Sequence, residues 1–259
     1  MAYLRGLLVL LIIVAALGVG ATVALRVGRT KVAAPDTVKP SIVSVENWGG
    51  VYVFAARAGG GRALLFDTGA DPDGKPVDVA LGALGASRAD VTDVFLTHGH
   101  GDHTAGAGRL PKAKIHLGAG DVDLAAGKAP PEAVLPRLIS MVLPVPPVTA
   151  TDPLTGATTF DVGDGKTVKA LPVPGHTPGS YAYLYDGVLF VGDIMILKQG
   201  RLEPPPRVFN PRPAENVAAI RSLKLQLASD TVDIVCTAHG GCTPKGLGSN
   251  LLDEIISRI

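Results

Sequence analysis

Three of the chain's six histidines fall within six consecutive residues, in the segment HGHGDH at residues 98–103. On an extended segment, residues i and i+2 point the same way, so His98 and His100 can bind one metal ion together. Asp102 and His103 follow a glycine that permits a sharp bend, and they can face a second metal ion. This segment therefore predicts a fold in which residues 98–103 follow the end of a strand and contribute ligands to a metal site.

Three further groups of the same kind follow along the chain. His176 lies in PGHTPGS, Asp193 lies in FVGD and His239 lies in AHGG. Each follows a strand-like run at the point where a loop begins. Since open α/β sheets carry functional residues beyond their strand ends, we expect these side chains to converge with those of residues 98–103.

Imidazole and carboxylate donors favour zinc, and they also suit iron or manganese. The alternative is that these residues are surface polar groups or hydrogen-bonded core histidines. That alternative suits a single histidine such as His116, which we interpret as an ordinary strand residue. It does not suit a dense cluster with two glycine-flanked partners elsewhere in the sequence.

Strand and helix patterns alternate along the chain, which indicates a mixed α/β class. The pattern predicts a Pro-rich, irregular segment over residues 120–160 and a loop over 200–213. Predicted strands cover residues 41–47, 51–58, 63–66, 91–96, 114–117, 167–173, 181–185, 188–191 and 234–237. Predicted helices cover residues 76–84, 214–228 and 251–258.

Composition excludes several classes of protein. The net charge is +1, from 24 basic and 23 acidic residues, so there is no basic excess that would indicate nucleic-acid binding. The hydrophobic fraction of 47% excludes a disordered chain. Cys236 and Cys242 are too few for a disulfide framework; they can pair with each other if the domain is exported, or remain free thiols.

Residues 7–25 carry no charge and are long enough to span a bilayer as a helix. We interpret residues 1–29 as a signal anchor or a cleaved signal peptide, and the length of the apolar run favours the anchor. Residues 30–40 are predicted to be a linker, and residues 41–259 the folded domain. The protein is then membrane-anchored or exported. Arg26, Arg29 and Lys31 favour a domain on the cytoplasmic side, whereas the short basic segment before the apolar run favours the extracytoplasmic side, which is our first expectation.

The sequence resembles the metallo-β-lactamase superfamily of metallohydrolases. The resemblance covers about residues 41–245 and rests on five motifs in a fixed order. These are FDTG (66–69), LTHGHGDHTAG (96–106), PGHTPGS (174–180), FVGD (190–193) and TAHGG (237–241).

The resemblance implies a four-layer αββα sandwich with two zinc ions at one edge, between the sheets. It implies that His98, His100 and His176 bind the first metal. The second metal would be bound by Asp102, His103 and His239. Asp193 would bridge the two, and Asp67 would hold the ligand loop in place through hydrogen bonds.

The implied activity is hydrolysis of a small ester, thioester, lactone or amide. Two metal ions would activate a water molecule for attack on a carbonyl or phosphoryl centre, with Asp102 orienting it. Asp193 stands where the β-lactamases of the superfamily tend to carry Cys or Ser, which disfavours antibiotic hydrolysis. The additional helical region of hydroxyacylglutathione hydrolases and the additional segments of the nucleases are not seen in the sequence.

Two other functions are compatible with this resemblance. One is an iron-dependent redox enzyme, similar to persulfide dioxygenases, that uses only the first metal site. The other is a non-enzymatic binding module that retains the fold. The complete ligand set disfavours both. The expected partner is a small-molecule substrate; the oligomeric state is not predicted.

Several other residues are assigned structural roles. Tyr181, Tyr183 and Tyr185 alternate along one strand and are expected to share a packed face. Arg201, Arg207 and Arg212 could recognise a substrate carboxylate, although a solvated loop is the simpler interpretation.

Overall fold

The computed structural model describes residue 28 and residues 30–259. Within these residues, no helix combines the length and the apolar character needed to cross a bilayer. The anchor or signal segment predicted within residues 1–29 lies almost wholly outside the described residues and stays a prediction.

The described chain forms short strands and helices that interleave. The strands are β1 Asp36–Lys39, β2 Ile42–Asn47, β3 Val51–Arg57, β4 Ala63–Phe66, β5 Val91–Phe95, β6 Lys114–Gly118, β7 Asp152–Leu154, β8 Thr158–Asp161, β9 Thr167–Pro172, β10 Tyr181–Tyr185, β11 Val188–Phe190, β12 Ile196–Lys198, β13 Arg201–Glu203, β14 Ile234–Thr237 and β15 Gly241–Cys242. The helices are α1 Lys75–Ala83, α2 Gly101–Thr104, α3 Val122–Ala125, α4 Val134–Val142, α5 Pro213–Gln226 and α6 Gly248–Arg258. Short 3-10 turns connect several of them.

Over residues 30–259 the strands form two large sheets and one small hairpin. The first sheet has the order β1-β2-β3-β4-β5-β6-β7; it is antiparallel from β1 to β4 and parallel from β4 to β7. The second has the order β15-β14-β11-β10-β9-β8, with β11 and β14 parallel and the other pairs antiparallel. Strands β12 and β13 pair only with each other.

The two sheets pack face to face, and helices cover their outer faces. Phe54, Phe66 and Phe95 of the first sheet meet Tyr183 and Phe190 of the second in one buried cluster. The α1 helix packs on the outer face of the first sheet, while α5 and α6 pack on the outer face of the second. The described layers are therefore helices, sheet, sheet and helices, a mixed α/β arrangement consistent with the metallo-β-lactamase fold.

Local sequence explains the elements that frame the core. Strands β4 and β10 are buried along their whole length, which suits their continuous runs of apolar and aromatic residues. In α1, Val77, Ala80 and Leu81 are buried at i, i+3 and i+4 spacing, and Pro76 occupies the first turn, where no helical hydrogen bond is lost.

The structure differs from the predictions in three segments. The predicted loop over residues 200–213 contains the strand β13. Residues 30–40 are not simply a linker, because β1 pairs with β2 and Val32 forms a bridge with Asn47. Residues 120–160 are not irregular, because they contain α3, α4, β7 and β8. In the latter two segments prolines suggested a loop. Pro35 and Pro40 flank β1, whereas Pro136 and Pro153 lie within α4 and β7.

The topology directs several strand ends to one edge of the sandwich. In the first sheet, parallel neighbours β4, β5 and β6 all end at this edge. In the second, β11 and β14 are parallel and β9 ends at the same edge. The loops that follow carry the polar side chains described next.

Candidate metal centre

The first group of candidate ligands contains three buried histidines. His98 and His100 follow β5, and His176 follows β9. His98 Nε2 lies 2.9 Å from His100 Nδ1, which lies 3.2 Å from His176 Nε2. Because the nitrogens are this close, one metal ion could contact all three rings.

The second group contains Asp102, His103 and His239. The first two lie in the single-turn helix α2, and His239 follows β14. Asp102 Oδ2 lies 3.8 Å from His103 Nε2 and 3.5 Å from His239 Nε2. The backbone of His239 forms a bridge with Val51 of the first sheet, so its loop is attached to both sheets.

Asp193 lies between the two groups, in the loop after β11. Its Oδ1 is 3.5 Å from His103 Nε2, and its Oδ2 is 3.4 Å from His239 Nε2. The same Oδ2 is 3.7 Å from His176 Nε2 in the first group. The structure thus brings together all seven side chains that the sequence suggested as ligands, with one carboxylate placed to serve both groups.

Burial keeps the first group in its neutral form. It lowers the pKa of His98 well below the usual 6.5, and neighbouring histidines lower it further. Burial also lowers the pKa of His100, and it lowers that of His176 to about 4. Neutral imidazoles have free lone pairs, which metal coordination requires.

Carboxylates dominate the electrostatics of the second group. The charge of Asp193 raises the pKa of His239 to about 10. Burial opposes protonation of His103, but Asp193 and Asp102 raise its pKa well above 6.5. Burial likewise opposes ionisation of Asp102 and Asp193, yet the histidines hold both pKa values below the usual 3.8. Opposite charges therefore compensate one another here.

Two buried polar atoms at the centre, His103 Nε2 and Asp193 Oδ1, have no hydrogen-bond partner among the described residues. His176 Nδ1 is also unpartnered, but the nitrogen of that ring that faces the other candidate ligands is Nε2. Buried polar groups are nearly always satisfied, so unpartnered atoms of this kind call for an explanation such as an ion. The donors are imidazole nitrogens and carboxylate oxygens, which fit zinc and also iron or manganese.

Asp67 supports the centre from behind His103. Its Oδ1 accepts a hydrogen bond from the Thr97 N–H at 2.7 Å, and its Oδ2 accepts one from Thr97 Oγ1 at 2.8 Å. Asp67 Oδ2 also lies 2.9 Å from His103 Nδ1. Since Nδ1 is held by Asp67, Nε2 of His103 points to the other candidate ligands.

Asp121 has a similar supporting role that the sequence analysis missed. Its Oδ2 accepts hydrogen bonds from the Gly99 N–H at 2.8 Å and from Thr177 Oγ1 at 2.6 Å. Its Oδ1 accepts one from the Gly179 N–H at 2.8 Å. This carboxylate joins the loop of His98 and His100 to that of His176.

A sequence signal for Asp121 was present. It follows the buried strand β6 after a short glycine-containing turn, as the ligand loops follow their own strands. Burial raises its pKa, although its three hydrogen bonds act in the opposite direction.

A large cavity of about 940 Å³ opens above the candidate ligands. Its floor contains His100, Asp102, His176, Asp193 and His239. Its walls come from the β2–β3 turn, from α3 and the segment between α3 and β7, and from residues 196–209 before α5. A substrate that fills this cavity would contact the metal centre directly.

Other residues considered in the sequence lie elsewhere. His116 is buried in β6, where its Nδ1 lies 2.7 Å from Asp152 Oδ2 and its Nε2 lies 2.8 Å from Asp93 Oδ1. The ring is thus satisfied within the sheet. The three tyrosines of β10 share the face between the sheets, as expected.

The arginines after Asp193 do not line the cavity. Arg212 pairs with Glu132 at 2.6 Å and Arg201 lies 3.6 Å from Glu254. Cys236 and Cys242 form a disulfide across the β14–β15 pair. The bond closes the short loop that carries His239.

Comparison with known proteins agrees with this geometry. The sequence profile described as "Metallo-beta-lactamase superfamily" matches residues 47–239. A hydroxyacylglutathione hydrolase of Methylobacillus flagellatus is 33% identical over 136 residues, covering 52% of this chain and 44% of the relative. One of Acidiphilium cryptum is 32% identical over 174 residues, covering 66% and 58%. This chain spans about half the length of these curated relatives.

Solved structures show the same fold. A beta-lactamase from Chitinophaga pinensis superposes with a TM-score of 0.64, covering 89% of this chain and 92% of that one. The two sequences are 18% identical, so this likeness concerns the fold alone.

Proposed function

Because this chain belongs to the metallo-beta-lactamase superfamily, we propose that it is a dinuclear-metal hydrolase of small acyl compounds. The observation that carries the proposal is the position of Asp193, within 3.7 Å of histidines from both groups. A carboxylate shared in this way suits two adjacent metal ions, for which zinc is our first candidate.

The reaction is the addition of water to an acyl compound. The bond between the acyl carbon and the leaving group breaks, a carbon–oxygen bond to water forms, and the water proton passes to the leaving group. Two metal ions, when bound, would supply a water of lowered pKa and polarise the carbonyl oxygen.

The protein's own residues orient the reaction. Asp102 lines the cavity, and its side chain is 32% exposed, so its carboxylate can accept a hydrogen bond from a water molecule at the centre. Asp67 and Asp121 hold the ligand loops through buried hydrogen bonds.

Thioesters are the first substrates to test. The curated relatives are named hydroxyacylglutathione hydrolases, and a hydroxyacylglutathione is a thioester. We propose esters, lactones and amides as the related classes. The iron-dependent redox alternative uses only the first group, so the complete second group favours the dinuclear hydrolase.

The disulfide supports a location for this activity. Disulfides persist mainly in oxidising compartments, so the Cys236–Cys242 pair favours an exported domain. This agrees with the location predicted from the sequence of residues 1–29.

A panel of thioesters, esters, lactones, β-lactams and phosphodiesters, offered to the metal-loaded full chain, tests the proposal. We expect acyl hydrolysis that falls by at least about 100-fold in His100→Ala and Asp102→Ala, with folding retained in circular dichroism. Full activity in either variant would refute the assignment.

A further inference from the structure

The cavity above the metal centre has a strongly apolar wall. It is lined by side chains from three separate segments of the chain, among them Trp48, Leu124, Ile139, Val145, Ile196 and Phe209. Seven prolines complete the lining, and proline has no side-chain hydrogen-bonding group. A ligand in this space therefore meets mainly hydrocarbon.

The apolar wall reaches the candidate ligands themselves. Val145 packs on Gly101, where an added β-carbon would lie only 2.8 Å from Val145 Cγ2. Gly101 stands between His100 and Asp102 in the sequence. The Val148 N–H donates to the Ala125 carbonyl at 2.9 Å, which ties this wall to α3. The reacting group of a substrate would thus lie between the metal centre and a fixed apolar surface.

The cavity offers little to bind an anion. Apart from the candidate histidine ligands, Lys128 is its one basic side chain among the described residues. A smaller cavity of about 90 Å³ shares His100 and His176 with it. In the described part of the chain its lining includes Asp121, Asp123 and Glu132 and no lysine or arginine.

This lining contrasts with the chemistry of a glutathione thioester. Glutathione carries two carboxylates, which proteins bind with arginine, lysine or helix N-termini. One lysine beside an acidic cavity provides poor complementarity for them. The glutathionyl group named in the curated relatives is therefore unsuited to this cavity.

We infer that the substrate is an uncharged compound with an extended apolar acyl group and a small leaving group without negative charge. This inference rests on the proposed hydrolase function and specifies its substrate class. The acyl chain lies along the Pro-rich wall, and the carbonyl lies on the floor formed by the ligands.

A series of thioesters tests the acyl preference. N-acetylcysteamine thioesters with acetyl, butyryl, hexanoyl and octanoyl groups are compared on the metal-loaded full chain. Each buried methylene contributes about threefold to fourfold in binding, so we expect kcat/KM to rise by that factor per methylene until the cavity is filled. A flat or falling series would overturn the inference.

The leaving group is tested with a matched pair. Octanoyl-glutathione and octanoyl-N-acetylcysteamine share the acyl group and the thioester, and only the first carries carboxylates. We expect the uncharged thioester to be preferred by at least about tenfold, since each unpaired carboxylate must lose its hydration. A preference for the glutathione thioester would contradict us.

Two pairs of neighbouring residues provide matched variants. Ile139 and Phe209 line the cavity and are 36% and 38% exposed, whereas their sequence neighbours Leu138 and Val208 lie outside it and are 52% and 53% exposed. We expect Ile139→Ala and Phe209→Ala each to lower kcat/KM for the octanoyl thioester about tenfold, with the acetyl thioester nearly unchanged. Leu138→Ala and Val208→Ala should leave both substrates unaffected; equal losses in each pair would oppose the inference.

A binding measurement separates failure of the inference from failure of the proposed function. The uncharged fluorescent probe N-phenyl-1-naphthylamine should bind the full chain whether or not it hydrolyses anything. Ile139→Asp should weaken binding at least tenfold, and Leu138→Asp should not. If no acyl compound is hydrolysed, the proposed function is wrong, and the probe still tests the apolar cavity. The inference is overturned if the parent does not bind the probe, or if Ile139→Asp and Leu138→Asp weaken binding equally.

Discussion

Asp67 illustrates how a buried side chain can orient the centre without being one of its candidate ligands. Its backbone lies in the left-handed region, with φ of 59°, and its side chain is almost fully buried. Both of its oxygens are occupied by Thr97, and Oδ2 also holds His103. The carboxylate therefore sets which nitrogen of His103 is available to a metal.

Replacing this carboxylate with an amide tests that role. In Asp67→Asn the amide NH₂ must face either Thr97 or the Nδ1–H of His103, so one donor meets another. We expect metal affinity to fall about 10- to 100-fold, measured by competition with a chelator. Asp71→Asn is the control, because Asp71 is equally buried but its side chain accepts a hydrogen bond only from the Asp73 N–H among the described residues. Unchanged affinity in Asp67→Asn would count against the orienting role.

The site was predictable from the sequence only where the residue type itself carried the signal. Histidines clustered at residues 98–103 indicate a metal site, because few other structures need them at that density. Asp121 carries a weaker signal, its position just after the buried strand β6, because aspartates beside glycine are common in turns. Its role depends on hydrogen bonds to loops 22 and 56 or more residues away, which only the fold brings near.

Among the elements, the loop after β11 depends on close packing at Gly192. Gly192 has φ of +55°, and a β-carbon there would lie 2.4 Å from Thr97 Oγ1. Thr97 in turn donates to Asp67. An alanine at this position would thus disturb both the Asp193 loop and the support of His103.

We expect Gly192→Ala to lower the free energy of unfolding by about 3 kcal/mol, from left-handed strain and the clash together. Gly200→Ala is the matched control, with φ of +77° and open space around it. Gly200→Ala should lower the free energy of unfolding by about 1 kcal/mol, because it introduces the left-handed strain without a clash. Urea denaturation measures both, and equal costs would show that the contact with Thr97 is unimportant.

The disulfide acts on the element that presents His239. Cys236 and Cys242 are directly opposed on β14 and β15, six residues apart in sequence. We expect Cys236→Ala/Cys242→Ala to lower the free energy of unfolding by about 2 kcal/mol through the lost loop constraint. It should also weaken metal binding, because the His239 loop is less restrained. Reduction of the parent with dithiothreitol should reproduce both effects. If unfolding free energy and metal affinity are unchanged in both the double variant and the reduced parent, the disulfide does not have this role.

At the scale of elements, strands in the core were predicted well and the cavity wall was not. The limits of β4, β10 and β14 agree with the prediction, because their apolar runs are buried on both faces. The helix α4 was missed, because Pro136 suggested a loop although it lies in the first turn, which tolerates proline. An amphipathic pattern was present, since apolar residues recur at positions 134, 135, 138, 139, 141 and 142, although none of them is buried in the structure.

For the whole molecule, the interface between the two sheets is the buried core that joins its two halves. Tyr183 and Tyr185 lie in it, and their hydroxyls donate to the carbonyls of Leu96 and Arg57. Tyr183 reaches the end of β5, immediately before the histidine cluster. The packing of one sheet on the other thus positions the two halves of the candidate centre.

This interface should limit stability at alkaline pH. Burial raises the pKa of Tyr185 to about 12 and that of Tyr183 well above its usual value of 10. In the unfolded chain both ionise near pH 10, so their contribution to stability is complete below pH 10 and is lost as the pH rises toward 12. We expect Tyr185→Phe to flatten the decline in unfolding free energy over this range. An unchanged slope would exclude Tyr185 as its source.

The central claim is that seven side chains from both halves of the molecule form one centre for two metal ions. Titration of the metal-free full chain with zinc, with metal content checked by mass spectrometry, tests it most directly. We predict two zinc ions per chain in the parent, and one ion in His176→Ala and in His239→Ala. A parent chain that binds a single ion or none would contradict the account.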